Sequence, residues 1–154
     1  MIEITNDYLL DKRIKMFQSD STYKTSSDAV LVSSLLHQIK DDSKILDVGS
    51  GTGGISLCLA HRFPCAKITG FEIQKELVEL SNMSAKTNDF KNLEYLLCDI
   101  KEKKIPYPAG SFDHVITNPP YSKSGSKSPN QSKALAHNQQ DITLEQWLKF
   151  CLKC

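Results

Sequence analysis

The stretch KILDVGSGTGG, residues 44–54, decides the fold class. Ile45, Leu46 and Val48 make a short apolar run that four glycines interrupt, and the apolar segment ISLCLAHRF follows directly. A buried strand, a glycine turn and a helix in this order begin a βαβ unit. The helix is expected to end before Pro64, because proline cannot continue it.

The same alternation of strand and helix continues on both sides of this unit. KITGFEI, LEYLLCDI and FDHVITN are strand-like, and QKELVELSNMSAKTN is helical with Asn88 as a left-handed stop. Thr143 and Gln146 have capping-box spacing, so a last helix is expected to start at Thr143. Upstream, a helix with a wide apolar face is expected from its N-cap Ser27 to Ile39. The alternation predicts an α/β fold with about four parallel strands and flanking helices.

Length and composition restrict the class of protein. A chain of 154 residues is expected to form one domain, residues 1–154, and its hydrophobic fraction of 40% is ordinary for a globular protein. No apolar run reaches the ~20 residues of a membrane span, and the first residues lack the layout of a signal peptide. We therefore expect a cytoplasmic protein without a membrane partner.

The cysteines and the charges carry weaker signals. Five cysteines lie mostly in apolar sequence, which is typical of buried thiols in a reducing compartment, and the Cys151 and Cys154 pair lacks a second pair or a nearby histidine. We interpret that pair as thiols on a helix face and expect no metal site. The net charge is +1, but the 8 Lys and Arg against 4 Asp and Glu after residue 100 slightly favour an anionic partner.

The glycine turn is the first candidate binding site, because ligands of open α/β sheets bind at the carboxyl ends of the strands. Gly49, Gly51 and Gly54 satisfy G-x-G-x-x-G, so a dinucleotide cofactor has to be considered. A carboxylate at Asp47 would repel a pyrophosphate there and attract a ligand that carries an ammonium and a sulfonium. S-adenosylmethionine is such a ligand, and Gly49, Gly51 and Gly53 would let the backbone approach its amino-acid part.

Two further acids are placed at the ends of the following strands. Glu72 ends the second strand, where a carboxylate can accept both hydroxyls of a ribose, and Asp99 ends the third, within reach of an adenine amino group. The alternative is that the three acids only cap separate turns. The candidate cofactor-binding residues in this region are Asp47, Gly49, Ser50, Gly51, Gly53, Glu72, Ile73, Asp99 and Ile100.

The motif NPPY, residues 118–121, completes a resemblance to the class I methyltransferases that modify planar amino groups. The resemblance implies a Rossmann-like sheet, S-adenosylmethionine as cofactor, and Asn118 at both the cofactor and the acceptor. If the side-chain oxygen of Asn118 and the carbonyl of Pro119 accept the two N–H bonds of an amino group, its lone pair can turn toward the methyl group. Pro120 would stiffen the turn and Tyr121 would stack on the base. The plainer alternative is a proline turn that closes a strand.

The segment YKTSSDAVLVSSLL narrows the resemblance to bacterial tRNA adenine-N6 methyltransferases that act next to the anticodon of a valine tRNA. The similarity covers most of the chain and implies that Ser27 and Asp28 help to cover the cofactor and that tRNA is the partner. The chain departs from the pattern at Ala136 and His137, where the family is expected to have Ala-Arg.

Several alternatives stay open. Methyltransferases of release-factor glutamine, of guanine in ribosomal RNA and of adenine in DNA share NPPY or a close variant, and an inactive cofactor-binding remnant is a further possibility. The loop with Lys123, Lys127 and Lys133 favours a polyanionic substrate. The fold normally has seven strands, so the four expected here indicate an incomplete sheet and a truncated or split protein, whose oligomeric state the sequence does not fix.

Overall fold

A computed structural model describes residues 3–20, 24–102, 105–119 and 142–154. These residues form six strands and four helices. In chain order the elements are β1 (Ile4–Leu9), β2 (Ile14–Ser19), α1 (Ser27–Leu35), β3 (Lys44–Val48), α2 (Gly54–Arg62), β4 (Lys67–Glu72), α3 (Lys75–Thr87), β5 (Leu93–Leu97), β6 (His114–Thr117) and α4 (Leu144–Cys151).

Four strands form a parallel sheet in the order β5-β4-β3-β6. β3 lies between β4 and β6 and pairs with both in parallel, and β4 also pairs with β5. Apart from its first residue, each of β3 and β4 is buried throughout, as expected for strands covered on both faces. The parallel four-stranded α/β sheet predicted from the sequence is therefore confirmed.

An antiparallel hairpin of β1 and β2 precedes the sheet and was not predicted. Its connection has no glycine, although Leu10, Asp11 and Lys12 all have positive φ angles of 48°, 53° and 63°. Asn88, at the end of α3, holds the hairpin: its side-chain nitrogen donates to the Lys15 carbonyl at 2.6 Å, and its oxygen accepts from the Lys15 N–H at 2.9 Å. The hairpin is thus tied to the sheet domain through α3.

Two helix ends differ from the prediction. The N-cap of α1 is Ser26 instead of Ser27, and the helix stops at Leu35 before a positive φ of 58° at Gln38. The apolar face of α1 is narrower than predicted, because Leu31 and Leu35 are 64% and 72% exposed. The helix packs through the buried Ala29 and Ser33, and Val30 and Val32 are partly buried against the same core. At α3, the residue after Asn88, Asp89, takes the left-handed conformation with φ 58°, while Asn88 has φ −90°.

The two faces of the sheet carry separate apolar clusters. The hairpin, α1, α2 and α3 pack on one face, and α4 packs on the other through Trp147, with Leu46, Val48 and Phe71 from the strands. The capping box predicted at Thr143 and Gln146 is present and starts α4. Within the described ranges, none of the helices combines the length and apolarity that a membrane crossing requires.

Candidate functional site

The glycine turn after β3 folds back onto β4. The N–H groups of Gly49 and Ser50 both donate to the Phe71 carbonyl, at 2.9 and 3.0 Å. Gly49, Gly51 and Gly53 have φ angles of 73°, 57° and 85°, in the left-handed region that residues with a Cβ avoid. Their glycine identity is therefore required by the conformation of the turn itself.

The turn is closely packed on its inner side and open at Gly51. A Cβ atom on Gly53 or Gly70 would collide with the ring of Tyr95, whose hydroxyl donates to the Gly53 carbonyl at 3.0 Å. A Cβ on Gly51, in contrast, would meet no atom within 4 Å. A ligand can approach the backbone at Gly51, where no side chain intervenes.

Asp47 lies fully buried beneath this turn. One carboxylate oxygen, Oδ2, accepts from the Ser56 hydroxyl at 2.6 Å, whereas Oδ1 is buried without a hydrogen-bond partner. Burial raises the pKa of Asp47 to about 7, the Ser56 hydrogen bond opposes the shift, and the charge of Glu72 adds to it. The carboxylate therefore holds its proton to a higher pH than an exposed aspartate, and a nearby cation would favour its charged form.

Glu72, at the end of β4, also faces the turn. Its two oxygens accept from the N–H groups of Gly51 and Gln74, each at 2.9 Å, and the side chain is buried. Burial raises the pKa of Glu72, while the backbone hydrogen bonds lower it. Each carboxylate oxygen has a second lone pair, so Glu72 can hold the turn and still accept hydroxyl groups of a ligand.

Asp99 lies two residues after the end of β5, which is at Leu97. The prediction that the strand ends at Asp99 was therefore wrong by two residues. The N–H of Cys98 donates to the Glu72 carbonyl at 2.9 Å, which brings this segment beside the end of β4. The carboxylate of Asp99 accepts from the Lys101 N–H at 2.9 Å and is partly exposed. Asp99 therefore lies at the same edge of the sheet as Glu72, in a less buried position.

The remaining cofactor candidates lie in the glycine turn, after β4, after β5 and on α1. Ser50 lies in the turn with its hydroxyl buried and unpartnered. Ile73 is 37% exposed directly after β4, and Ile100 packs against the cluster under α4. Ser27 and Asp28 are exposed on the first turn of α1.

The segment ahead of α1 is anchored to the glycine turn by side chains that the sequence analysis missed. The hydroxyls of Thr25 and Thr52 lie 2.6 Å apart. The side-chain oxygen of Gln18 accepts from the Thr25 N–H at 2.6 Å and from the Thr52 hydroxyl at 3.3 Å. Gln18 is a buried polar residue of β2, so the hairpin, the segment before α1 and the turn form one connected unit.

Asn118 and Pro119 leave the sheet beside the glycine turn. In the β3 and β6 ladder, Val48 is the partner of Thr117, so Gly49 and Asn118 each come next after the last pair. Both Asn118 and Pro119 are partly buried. Pro120 and Tyr121 lie outside the described residues, as do Lys123, Lys127, Lys133, Ala136 and His137.

The raised pKa of Asp47 predicts a pH dependence of stability. Because the folded chain holds the proton more tightly than the unfolded chain, Asp47 stabilises the fold below about pH 4 and loses this contribution as the pH rises to about 7. Relative to an Asp47→Asn variant, the free energy of unfolding of the wild type should fall over this range, by at most about 4 kcal/mol. Urea unfolding at a series of pH values measures it.

Ser56→Ala serves as the matched variant for this prediction. It removes the hydrogen bond that favours the charged carboxylate, so the loss of stability should extend to higher pH than in the wild type. If the free energies of unfolding of the wild type and of Asp47→Asn change in parallel from about pH 4 to pH 8, the pKa of Asp47 is not raised by folding and the prediction is wrong.

Three comparisons identify what the chain is similar to. A family model described as "Methyltransferase domain" matches residues 39–149. Two curated relatives are named tRNA1(Val) (adenine(37)-N6)-methyltransferase. The one from Porphyromonas gingivalis is 29% identical, and the match covers 87% of this chain and 55% of the relative. The one from Pedobacter heparinus is 30% identical, and the match covers 89% of this chain and 58% of the relative. The resemblance predicted from the sequence is thereby confirmed, and the chain spans little more than half the length of these relatives.

A solved structure shows the same fold. The geranyl diphosphate C-methyltransferase of Streptomyces coelicolor A3(2), crystallised with S-adenosyl-L-homocysteine, matches 58% of this chain and 33% of its own with a TM-score of 0.51 and 19% identity. The match supports a methyltransferase fold for this chain.

Proposed function

Because the chain belongs to the methyltransferase domain family, we propose that it transfers a methyl group from S-adenosylmethionine to the exocyclic N6 of an adenine in tRNA. The observation that carries this proposal is the pairing of Val48 with Thr117. It makes the cofactor turn that starts at Gly49 and the acceptor motif that starts at Asn118 emerge side by side from adjacent parallel strands. A donor and an acceptor bound at these two segments would meet at one edge of the sheet.

The residues at the turn fit the proposed cofactor. The backbone is accessible at Gly51, and the carboxylates of Asp47 and Glu72 provide negative charge under and beside the turn. Asp47 is fully buried, so it would act on a cationic ligand through its charge and through the turn, without direct contact. Glu72 and Asp99 are the proposed acceptors for the ribose hydroxyls and the adenine amino group.

The proposed chemistry needs positioning more than acid–base catalysis. When bound, S-adenosylmethionine supplies an electrophilic methyl group on a sulfonium. The oxygen of Asn118 and the carbonyl of Pro119 would accept the two N–H bonds of the acceptor amine, which aligns its lone pair and stabilises the positive charge that develops on nitrogen. The proton can leave to water after transfer. Pro120 and Tyr121 keep the roles that the resemblance implies, stiffening the turn and stacking on the base.

The assignment of tRNA rests on the curated relatives and on sequence outside the described residues. The two relatives are named for adenine in a valine tRNA. The sequence from Tyr121 to Asp141 contains three lysines and a single acid, Asp141, a composition that suits binding to a phosphate backbone. A glutamine side chain presents the same planar nitrogen without phosphates, so it would not use these lysines.

A transfer assay with labelled S-adenosylmethionine tests the proposal. We expect label in unmodified valine tRNA, recovered as N6-methyladenosine after digestion, and none in a control tRNA whose adenine next to the anticodon is replaced by guanosine. Label in a release factor or in ribosomal RNA would assign one of the alternative substrates. A chain that binds the cofactor and labels none of these would be an inactive remnant, which contradicts the proposal.

A further inference from the structure

Trp147 links α4 to the end of the sheet at which the proposed site lies. Its side chain is 5% exposed, and its indole nitrogen donates to the hydroxyl oxygen of Thr117 at 2.9 Å. The ring also covers the first residue of the cofactor turn: a Cβ on Gly49 would lie 2.9 Å from the ring carbons Cζ2 and Cη2. One side chain therefore contacts both the glycine turn and β6.

The hydroxyl of Thr117 continues this connection to β3. It accepts a hydrogen bond from Trp147 and donates its single proton to the Val48 carbonyl at 2.7 Å. The hydrogen bonds therefore run in one direction, from Trp147 through Thr117 to Val48. Val48 and Thr117 are also the last pair of the β3 and β6 ladder. The side-chain bonds thus hold the final pair of the ladder, immediately before Gly49 and Asn118.

We propose that Thr117 and Trp147 are positioning residues that set the distance between the cofactor turn and Asn118. The inference rests on the proposed function. Strand ends are free to separate where the backbone ladder stops, and the chain of bonds from Trp147 through Thr117 to Val48 prevents this at the one pair that precedes both segments. Methyl transfer requires alignment of donor and acceptor, and a displacement of about 1 Å can cost ~100-fold in rate.

A purely structural role for Thr117 and Trp147 predicts different effects of substitution from a positioning role. If Thr117 only helped α4 to dock, its loss would weaken folding and cofactor binding together. If it positions Asn118, its loss should lower kcat while the cofactor affinity stays nearly constant, because the contacts of Gly51 and Glu72 lie on the other side of β3, toward β4.

The test compares Thr117→Val with Thr117→Ser. Valine has nearly the same shape but loses both hydrogen bonds, whereas serine keeps the hydroxyl. We expect Thr117→Val to reduce kcat for tRNA methylation by about 10- to 100-fold with the Kd for S-adenosylmethionine, measured by calorimetry, within about 3-fold. Thr117→Ser should restore most of the rate. Thr69→Val is the matched control: it removes a buried hydroxyl of β4 away from the site and should leave both constants unchanged.

Fluorescence gives a readout that does not depend on turnover. Trp147 is the only tryptophan of the chain, and it lies against Gly49. Its emission should therefore change when S-adenosylmethionine binds to the wild type. In Thr117→Val, the emission of the free protein should already differ from that of the wild type, because the indole N–H has lost its acceptor.

The outcomes separate this inference from the proposed function. If Thr117→Val transfers methyl groups at the wild-type rate, the positioning role is overturned and the proposed function is not affected. A parallel loss of kcat and cofactor affinity, or an emission that saturating cofactor leaves unchanged, also overturns the positioning role. A wild type that transfers no methyl group to any acceptor overturns the proposed function and this inference with it.

Discussion

Replacing Asn118 with alanine should lower the rate of methyl transfer by about 100- to 1000-fold, while S-adenosylmethionine binds within a few fold of its wild-type affinity. The side-chain oxygen of Asn118 is proposed to accept a hydrogen bond that strengthens as the acceptor nitrogen becomes positive. Its loss therefore acts on the transition state more than on the bound cofactor. Single-turnover transfer to tRNA gives the rate, and calorimetric titration gives the affinity.

Two variants sharpen this experiment. Asn118→Gln keeps the amide but moves it by one methylene, so it should be nearly as slow as alanine if the position of the oxygen matters. Asn6→Ala changes an exposed asparagine of β1 and should behave as wild type. Turnover by Asn118→Ala at the wild-type rate would exclude Asn118 from the acceptor site.

Replacing Glu72 with alanine should have the largest effect on the cofactor. The substitution removes the acceptor of the Gly51 and Gln74 N–H groups and the proposed acceptor of the ribose hydroxyls. Leaving such polar groups unpaired costs about 1 to 3 kcal/mol, and we expect the binding free energy of S-adenosylmethionine to weaken by this amount. Calorimetry on the purified variant measures the change directly.

Glu72→Gln tests how much the charge of this side chain contributes. Glutamine keeps one oxygen acceptor and removes the charge, so it should bind more tightly than alanine and more weakly than the wild type. Glu79→Ala, on the exposed side of α3, is the matched control, since its carboxylate forms only a surface ion pair with Lys75 among the contacts described. Equal affinities of the wild type and Glu72→Ala would place the ribose elsewhere.

The parallel sheet could be predicted because its determinants are local. The apolar run before Gly49, the glycines with positive φ, and the capping box at Thr143 each specify a strand, a turn or a helix start within a few residues. The acids could be assigned to strand ends for the same reason: Glu72 is the last residue of β4, and Asp99 was misplaced by only two residues.

The features that could not be predicted depend on contacts between distant residues. The hairpin of β1 and β2 closes through left-handed residues without glycine, and it is held by Asn88, 73 positions from Lys15. The raised pKa of Asp47 follows from its complete burial, and the position of an aspartate before a glycine turn does not predict that burial. The contact of Trp147 with Gly49 likewise joins residues far apart in the chain.

The central claim is that the glycine turn with its buried carboxylates accepts a cationic methyl donor in preference to an anionic dinucleotide. Calorimetric titration of the 154-residue chain with S-adenosylmethionine and, separately, with a nicotinamide dinucleotide tests it most directly. We predict saturable binding of S-adenosylmethionine that strengthens from about pH 5 to pH 7, as Asp47 becomes charged while the α-amino group of the cofactor stays protonated, and no measurable binding of the dinucleotide. Binding of the dinucleotide instead, or no heat with S-adenosylmethionine at either pH, would contradict the account.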